Sequence, residues 1–211
     1  MVINRRTYRI LSSHWETALA LMQAIRQESR QTLDSDWEIQ TPRYGPHQTV
    51  ALEFAFANES DIGNYFDNSF YPMLHKHNWM EEWFSHVDHA DSLLYSTYET
   101  PEDPAQLSRS VRHGVFIHRH CFEPAARTNP LGIGTRIREE TLQKFNRDLR
   151  VMRGHHGGSM GRMILESWYT DTQEQEHFEE AWYKFLMEQG WLDELWSCIR
   201  EGHNELWYSH P

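Results

Sequence analysis

The two halves of this sequence repeat each other, and this duplication limits the fold more than any other feature. Phe66 aligns with Phe178, 112 positions downstream, while the strand-like segment before it aligns at a spacing of 113, which matches Glu53 with Glu166. Agreement at a nearly fixed spacing over about 45 residues indicates an internal repeat rather than chance. We therefore predict two units of the same structure within one chain.

Each half also shows the same order of predicted secondary structure. Stretches rich in strand-forming residues and stretches with apolar residues at helical spacing give the order strand, helix, two strands, helix, strand. This is the ferredoxin-like pattern. We assign the first unit to residues 1–99 and the second to residues 111–211. Residues 100–110 contain two prolines and no apolar periodicity, so we predict a linker there.

A tandem pair of ferredoxin-like units predicts a particular architecture. The two helices of one unit cover only one face of its sheet, so the other face needs a separate cover. Packing the two sheets face to face within the chain buries both free faces. We therefore predict an α+β fold in which tandem ferredoxin-like repeats form an intramolecular dimeric α/β barrel. A mostly apolar cavity is expected between the sheets, and cavities of this kind commonly bind small molecules.

The composition disfavours several classes of partner. A formal charge of −11, from 31 acidic and 20 basic residues, argues against nucleic acid, because phosphates require basic surface. A run of about 18 apolar residues is missing, which predicts no membrane span. The two cysteines form no disulfide framework, and the N-terminus lacks a signal-peptide pattern, so we expect a cytoplasmic protein. The duplication removes the usual need for a second subunit but still permits a homo-oligomer.

One short motif resembles that of a known family. Glu166-Ser167-Trp168 lies on a predicted strand, and His177 follows nine residues after the tryptophan, near the start of a helix. The pattern resembles the central motif of antibiotic biosynthesis monooxygenase domains, which are dimeric α/β-barrel proteins. The layout of the chain also resembles NIPSNAP-type tandem barrels. The resemblance implies cofactor-independent oxygenation of aromatic polyketides, heme degradation, polyketide cyclisation or no catalysis, and the fold alone does not choose among them.

The residues argue against the heme-degrading branch of that family. Its members carry a Trp at the helix position that His177 occupies here, and a heme-ligating His ten residues later, where this chain has Met187. The matching positions of the first half are Tyr65 and His75, so a His does occur there. Our first expectation is therefore that the protein uses no cofactor, with heme as an alternative.

Two histidines are the main candidates for chemistry. His118 and His120 stand two apart on a predicted strand and share a face with Phe116, whereas Arg119 faces the other way. If their face lines the cavity, a neutral imidazole there is suited to act as a general base near pH 7. Glu166 is expected to orient such a histidine or to bind a substrate hydroxyl. We therefore predict that His118, His120 and Glu166 are catalytic.

Other roles for these residues stay open. Two histidines and one carboxylate also form a common site for a divalent metal, so His118, His120 and Glu166 are the alternative metal ligands. With 14 histidines in the chain, the pair could equally arise by chance and be structural. Large aromatic side chains are expected to hold a planar ligand. The predicted substrate-binding residues are Phe54, Phe56, Phe116, Trp168 and His177. For His177, a hydrogen bond to Glu166 is the simpler alternative.

Together these features predict an enzyme of secondary metabolism. We expect a cofactor-independent monooxygenase or cyclase that acts on an aromatic or polyketide-like substrate in the barrel cavity. Its partner is then one small aromatic or apolar molecule. The alternatives are a barrel that binds a divalent metal or heme through the histidine cluster, and a ligand-binding barrel without catalysis.

Overall fold

The computed structural model describes residues 1–44, 48–97, 111–155 and 161–211. The first half contains four strands, one long helix and a run of shorter helices. In chain order these are β1 (Val2–Ile10), α1 (Trp15–Thr32), β2 (Glu38–Tyr44), β3 (Thr49–Phe56), α2 (Glu59–Tyr65), a π-helical turn (Phe66–Phe70), α3 (Tyr71–Lys76), α4 (Trp79–His86) and β4 (Val87–Thr97). The linker predicted at 100–110 lies outside the described residues.

The second half repeats this order. Its elements are β5 (Val115–Pro124), α5 (Leu131–Phe145), β6 (Arg150–Gly154), β7 (Met163–Tyr169), α6 (Thr172–Glu188), α7 (Trp191–Cys198) and β8 (Ile199–Ser209). The helix after the central strand begins in the same way in both halves. The side chains of Asn58 and Asp171 each accept a hydrogen bond from the backbone N–H three residues later. Such N-caps satisfy donors that the helix itself cannot.

The eight strands close into a barrel in the order β1-β3-β2-β8-β5-β7-β6-β4. Every neighbouring pair is antiparallel. Each half supplies one four-stranded sheet, and the sheets join at two equivalent seams, β2 with β8 and β4 with β6. The predicted α+β barrel of tandem ferredoxin-like repeats is therefore confirmed. Among the described residues, none of the helices is long and apolar enough to cross a bilayer.

The helices pack on the outside of the barrel and form one apolar core with each sheet. Leu52, Phe54 and Phe56 of β3 belong to the first-half core, beneath the helices. The expectation that Phe54 and Phe56 line the space between the sheets is therefore wrong. Side chains alternate along a strand, so the opposite face of β3, with Glu53, points into the barrel. The sequence shows this alternation but does not say which face the helices cover.

The centre of the barrel is charged rather than mostly apolar, which corrects a second expectation. Arg119 of β5 is fully buried there. Its guanidinium donates to Glu166 at 2.6 Å, to Glu53 at 2.8 Å and to the side-chain oxygen of Gln40 at 3.0 Å. Burial disfavours the charged form, but the two carboxylates outweigh it and raise the pKa of Arg119. Because Glu53 belongs to the first half, this arginine also connects the two sheets.

The acidic groups around Arg119 differ in their charge state. Glu166 is also bonded by Arg150 at 3.0 Å. Burial alone would raise the pKa of Glu166, but Arg119 and Arg150 lower it, so this group is ionised. Glu38 has the opposite balance, since burial and then Glu53 and Glu166 raise its pKa to about 8. Near neutral pH the barrel therefore holds Glu38 mainly as the neutral acid.

Removing the central arginine should destabilise the fold strongly. In an Arg119→Met variant, Glu53 and Glu166 lose their closest cation. Removing one partner of a buried ion pair typically lowers the unfolding free energy by about 3–5 kcal/mol. The matched control is Arg9→Met, because Arg9 pairs with Asp88 on the surface, where such pairs contribute about 0–1 kcal/mol. Urea unfolding of both variants measures the difference. Equal losses of unfolding free energy in both variants would contradict the assigned role of Arg119.

The raised pKa of Glu38 should make stability depend on pH. The unfolded chain ionises this carboxyl near 4.5, whereas the folded protein keeps its proton up to about pH 8. Between these values the folded state binds more protons, so the contribution of Glu38 to stability falls as pH rises through this window. A Glu38→Gln variant, which cannot titrate, should lose less unfolding free energy over the same window. Urea unfolding at several pH values tests this, and parallel curves for the two proteins would reject it.

Candidate functional site

His118 and His120 lie on the outer face of β5, beneath helix α6, and are 8% and 3% exposed. The strand register pairs His118 with Ser167 and His120 with Leu165, while Glu166 pairs with Arg119 on the inner face. Because Glu166 points into the barrel, it does not meet the two histidines. The predicted trio of His118, His120 and Glu166 is therefore not assembled in the structure.

A different carboxylate completes the histidine cluster. Glu179 of α6 places Oε1 2.8 Å from His118 Nδ1 and Oε2 3.3 Å from His120 Nε2. Tyr169 also donates its hydroxyl to Glu179 Oε1 at 2.7 Å. Burial alone would raise the pKa of Glu179, but the neighbouring His118 and His120 outweigh it and hold that pKa far below its usual value. The site therefore contains an ionised, buried carboxylate between two imidazoles.

Sequence reasoning missed Glu179, although a signal was present. Glu179 lies on the buried face of α6 together with Trp182 and Leu186, at helical spacing. A carboxylate on an apolar helix face requires a polar partner in the sheet below, because an unpaired buried charge is costly. Two histidines on the strand that this helix covers are the partners the structure provides.

The neutral His120 ring can carry its proton on either nitrogen, depending on the orientation of the Asn204 amide. Asn204 Oδ1 lies 2.9 Å from His120 Nδ1, and with the amide oxygen in this position Nδ1 carries the proton. His120 Nε2 then presents a lone pair to Glu179 Oε2, and neither atom has a hydrogen-bond partner among the described residues. Reversing the Asn204 amide instead frees Nδ1 to accept and puts the proton on Nε2, facing Glu179.

A small cavity opens beside His120. It has a volume of about 110 Å³ and lies between the sheet and helices α6 and α7. Its lining is aromatic and apolar apart from His120, Tyr183 and the edge of β8. Small-molecule sites usually measure about 300–1,000 Å³, whereas benzene fits an engineered cavity of about 150 Å³. In this conformation the cavity therefore has room for no more than about one aromatic ring.

Tyr183 joins the cavity to the histidine cluster. Its hydroxyl lies 3.2 Å from His120 Nδ1, and its ring lines the cavity. Burial, followed by the charge of Glu179, raises the pKa of Tyr183 to about 12. The phenol is therefore protonated at neutral pH. A molecule in the cavity meets this hydroxyl group and, behind it, the imidazole.

The first half has no equivalent cluster among its described residues. At the outward positions of β1 that match the two histidines stand Asn4 and Arg6, and Arg6 donates to the Tyr71 hydroxyl at 2.7 Å. The counterpart of Glu179 is Asp67, which is exposed. The cavity between sheet and helices there measures about 60 Å³. The two halves share a fold, but among their described residues only the second carries a buried His–Glu cluster.

The remaining predicted site residues lie apart from this cavity. Phe116 is half-buried near Tyr208, with ring centroids 5.3 Å apart. Trp168 points into the barrel, where the guanidinium of Arg150 lies 5.0 Å from its ring centre. His177 is exposed on α6, so the expected hydrogen bond from His177 to Glu166 is absent. The predicted aromatic wall around the histidines is supplied instead by the cavity's own lining, in particular Phe122, Trp182, Tyr183 and Trp196.

A second, larger cavity lies at one mouth of the barrel, with a volume of about 370 Å³. It is lined by Arg5, Tyr95, Glu205 and Trp207 among others, and His203 and Asn204 of β8 border both cavities. This volume falls within the usual range for small-molecule sites. The mouth cavity and the histidine cavity therefore lie on opposite faces of the same sheet.

Comparisons with known proteins support the architecture. Neither a protein-family model nor a curated protein matches the sequence. Several solved structures match over nearly the whole chain, three of which follow. A putative monooxygenase from Lactobacillus acidophilus NCFM has a TM-score of 0.64 at 8% identity, covering 99% of this chain and 93% of its own. An anthrone oxidase-like protein has a TM-score of 0.57 at 9% identity, with coverages of 100% and 91%. A heme-binding protein from Thermus thermophilus has a TM-score of 0.54 at 10% identity, with coverages of 99% and 90%.

At these identities the likeness concerns the fold alone. The chain shares its α/β-barrel fold with these proteins, as the duplicated order of its elements predicted. The further resemblance to NIPSNAP-type tandem barrels stays a prediction.

Proposed function

We propose that this protein is a small-molecule enzyme in which His120 acts as a general base. One observation carries the proposal: a buried His–Glu pair adjoins an aromatic-lined cavity in one half of a duplicated barrel, and its counterpart is missing from the described residues of the other half. A general base paired with a carboxylate and a hydroxyl follows the logic of a catalytic triad. Glu179, His120 and Tyr183 stand in that order from the protein interior to the cavity.

The relay works with the proton of His120 on Nε2, directed at Glu179. The Nδ1 lone pair then faces the Tyr183 hydroxyl. A substrate O–H or activated C–H in the cavity gives its proton to the Tyr183 oxygen while Tyr183 passes its own proton to Nδ1. The imidazolium that forms lies against the ionised Glu179, which stabilises it. His118, bonded to the other oxygen of Glu179, is a positioning residue.

The finer proposal is a cofactor-independent monooxygenase or cyclase of secondary metabolism acting on an aromatic or polyketide-like compound. Deprotonation of an activated methylene gives a carbanion. With O₂ as oxidant, that carbon becomes a carbonyl and the second oxygen atom leaves as water; without O₂, the carbanion attacks a carbonyl and closes a ring. The aromatic lining supports a flat substrate, and the cavity volume of about 110 Å³ favours a single ring. The likeness to an anthrone oxidase-like protein supports this chemistry.

Heme does not fit this site. A porphyrin is far larger than a cavity of about 110 Å³. Met187, at the position where a heme-degrading relative has its ligating His, is 60% exposed at the end of α6. His75, at the matching position of the first half, is also exposed. We therefore assign no step to heme.

Proton abstraction can be measured without knowing the natural substrate. We expect the protein to accelerate deuterium exchange at the activated methylene of a single-ring β-diketone, followed by NMR under nitrogen. His120→Gln and Glu179→Gln should each slow the exchange by about 10²–10⁴-fold, the usual size of general acid–base catalysis. The matched control is His177→Gln on the same helix, because that histidine is exposed and should not affect the rate. Deuterium exchange at the wild-type rate in a His118→Gln/His120→Gln double variant would reject the proposal.

A divalent metal site is the second candidate, supported by the other arrangement of the His120 proton. One ligand atom each from His118, His120 and Glu179 all lie within 4.8 Å of one another. With the Asn204 oxygen on Nδ1, a cation between His120 Nε2 and Glu179 Oε2 would satisfy both unpartnered atoms. Two histidines and one carboxylate commonly bind divalent iron in oxygenases. Bound there, such a metal would activate O₂ or polarise a substrate oxygen.

Metal analysis separates the two candidates. If the site binds metal, untagged protein incubated with Fe²⁺, Mn²⁺ or Zn²⁺ and then desalted should retain about one equivalent, and Glu179→Gln should lose it. The matched control is Glu205→Gln, because Glu205 belongs to a separate group with Cys121 and His203 whose ligand atoms also approach within 4.8 Å. Retention that disappears in the control but not in Glu179→Gln would assign the metal to that other group. If neither the wild-type protein nor the variants retain metal, the metal site is rejected and the proton relay remains as the proposed role of this cluster.

A further inference from the structure

Arg5 is a buried guanidinium whose donors are unused. It is 5% exposed and lies inside the barrel on β1. Its closest carboxylate oxygens, on Glu53 and Glu205, are each 3.9 Å away, and its side chain makes no hydrogen bond to the described residues. Instead it rests on the indole of Trp207, 4.3 Å from the ring centre. A guanidinium offers five donors in a fixed fork, and those of Arg5 border a cavity.

The duplicated half shows how unusual this is. Arg5 stands beside Glu53 between β1 and β3, as Arg119 stands beside Glu166 between β5 and β7. Arg119 donates hydrogen bonds to Glu166, Glu53 and Gln40. Glu53 is bonded to Arg119 at 2.8 Å and lies 3.9 Å from Arg5, beyond hydrogen-bonding distance. One of the two equivalent arginines is thus held by three hydrogen bonds, whereas the other makes only two longer ion pairs and a contact with an indole ring.

The Arg5 guanidinium borders the mouth cavity of about 370 Å³. Glu205 borders the same space and is ionised, because Arg5 and Arg119 outweigh its burial and lower its pKa to about 2. It accepts a hydrogen bond from Trp207 Nε1 at 2.9 Å, and His203 Nε2 lies 3.4 Å from its other oxygen. A carboxylate has about four lone-pair sites, so acceptor capacity remains. The cavity therefore presents Arg5 and Glu205 side by side, above aromatic rings of Tyr95 and Trp207. Arg162 also lines it, but this arginine donates to Glu123 at 2.6 Å.

The charges of the barrel select a net-neutral ligand. Arg5, Arg119 and Arg150 are balanced by Glu53, Glu166 and Glu205 once Glu38, whose pKa is about 8, is counted as neutral. A simple carboxylate would add an uncompensated negative charge close to Glu205, and a simple amine would add a positive charge close to Arg5. A zwitterion brings both charges and meets both partners.

We propose that the mouth cavity binds an α-amino acid with an aromatic or large apolar side chain. The carboxylate of the ligand takes the fork of Arg5, its ammonium lies on Glu205, and its side chain packs on Trp207 and Tyr95. Bidentate carboxylate recognition is the geometry for which a guanidinium is suited. This site does not depend on the chemistry proposed for His120, since none of its binding groups belongs to that cluster.

Calorimetric titration with three matched probes tests the ligand class. L-Phenylalanine carries both charges, 3-phenylpropanoate lacks the ammonium, and phenethylamine lacks the carboxylate. We expect L-phenylalanine to bind at least about tenfold more tightly than either analogue. Equal binding of 3-phenylpropanoate and L-phenylalanine would overturn the role of Glu205 and the zwitterion class. Failure of all three to bind at millimolar concentration would overturn the site.

Variants test the two contacts. Arg5→Gln should abolish the preference for L-phenylalanine over phenethylamine, and Glu205→Gln should abolish the preference over 3-phenylpropanoate. Arg5→Lys keeps the charge without the fork and should bind more weakly than the wild type, which covers the case in which Arg5→Gln does not fold. The matched control is Glu194→Gln, on a surface carboxylate paired with Arg136, and it should bind as the wild type does. If Zn²⁺ binds, is lost in Cys121→Ser and excludes L-phenylalanine, the cavity is a metal site and the proposal is wrong.

Discussion

The contacts of Arg119 hold the two sheets of the barrel around a common centre. Its guanidinium binds Glu166 of its own half and Glu53 of the other half, so the repeat is joined by charge as well as by the two strand seams. A fully buried arginine is tolerable only because acceptors surround it on several sides. Those acceptors stand on strands of both halves, and they meet only when the barrel closes. Arg119 therefore obtains its acceptors only in the closed barrel, and the closed barrel is stable only because these buried charges balance.

Much of this fold could be predicted from the sequence, because the repeat and the alternation along its strands are local patterns. The spacing between Glu53 and Glu166 identified equivalent strands, and their order implied two sheets that cover each other. Which face of each strand would be inside could not be derived in the same way. On β3, Phe54 and Glu53 alternate, and the charged face looks unsuited to a closed interior until Arg119 is known to stand opposite.

The candidate site, too, could be predicted from the sequence only in part. His118 and His120 were identified from their spacing on a strand, and they do lie together on one face of β5. Their carboxylate was assigned wrongly to Glu166. This residue is in register with Arg119, so it shares the inner face of Arg119 and points away from the two histidines. Glu179 arrives from a helix packed across that face, a contact that only the tertiary structure reveals. The role of general base proposed for His120 follows from this contact and not from the motif of Glu166, Trp168 and His177.

The two seams of the barrel have a consequence for how the chain is made. Synthesis proceeds from the N-terminus, so β2 and β4 exist before β8 and β6, the strands that pair with them. Until then the first half has two unpaired sheet edges and a bare face carrying Arg5 and Glu53. Unpaired edges are the usual starting points for wrong association between chains. The charges on that face are neutralised by the second half in the finished barrel. Before the second half is made, they keep the exposed face of the first sheet hydrated.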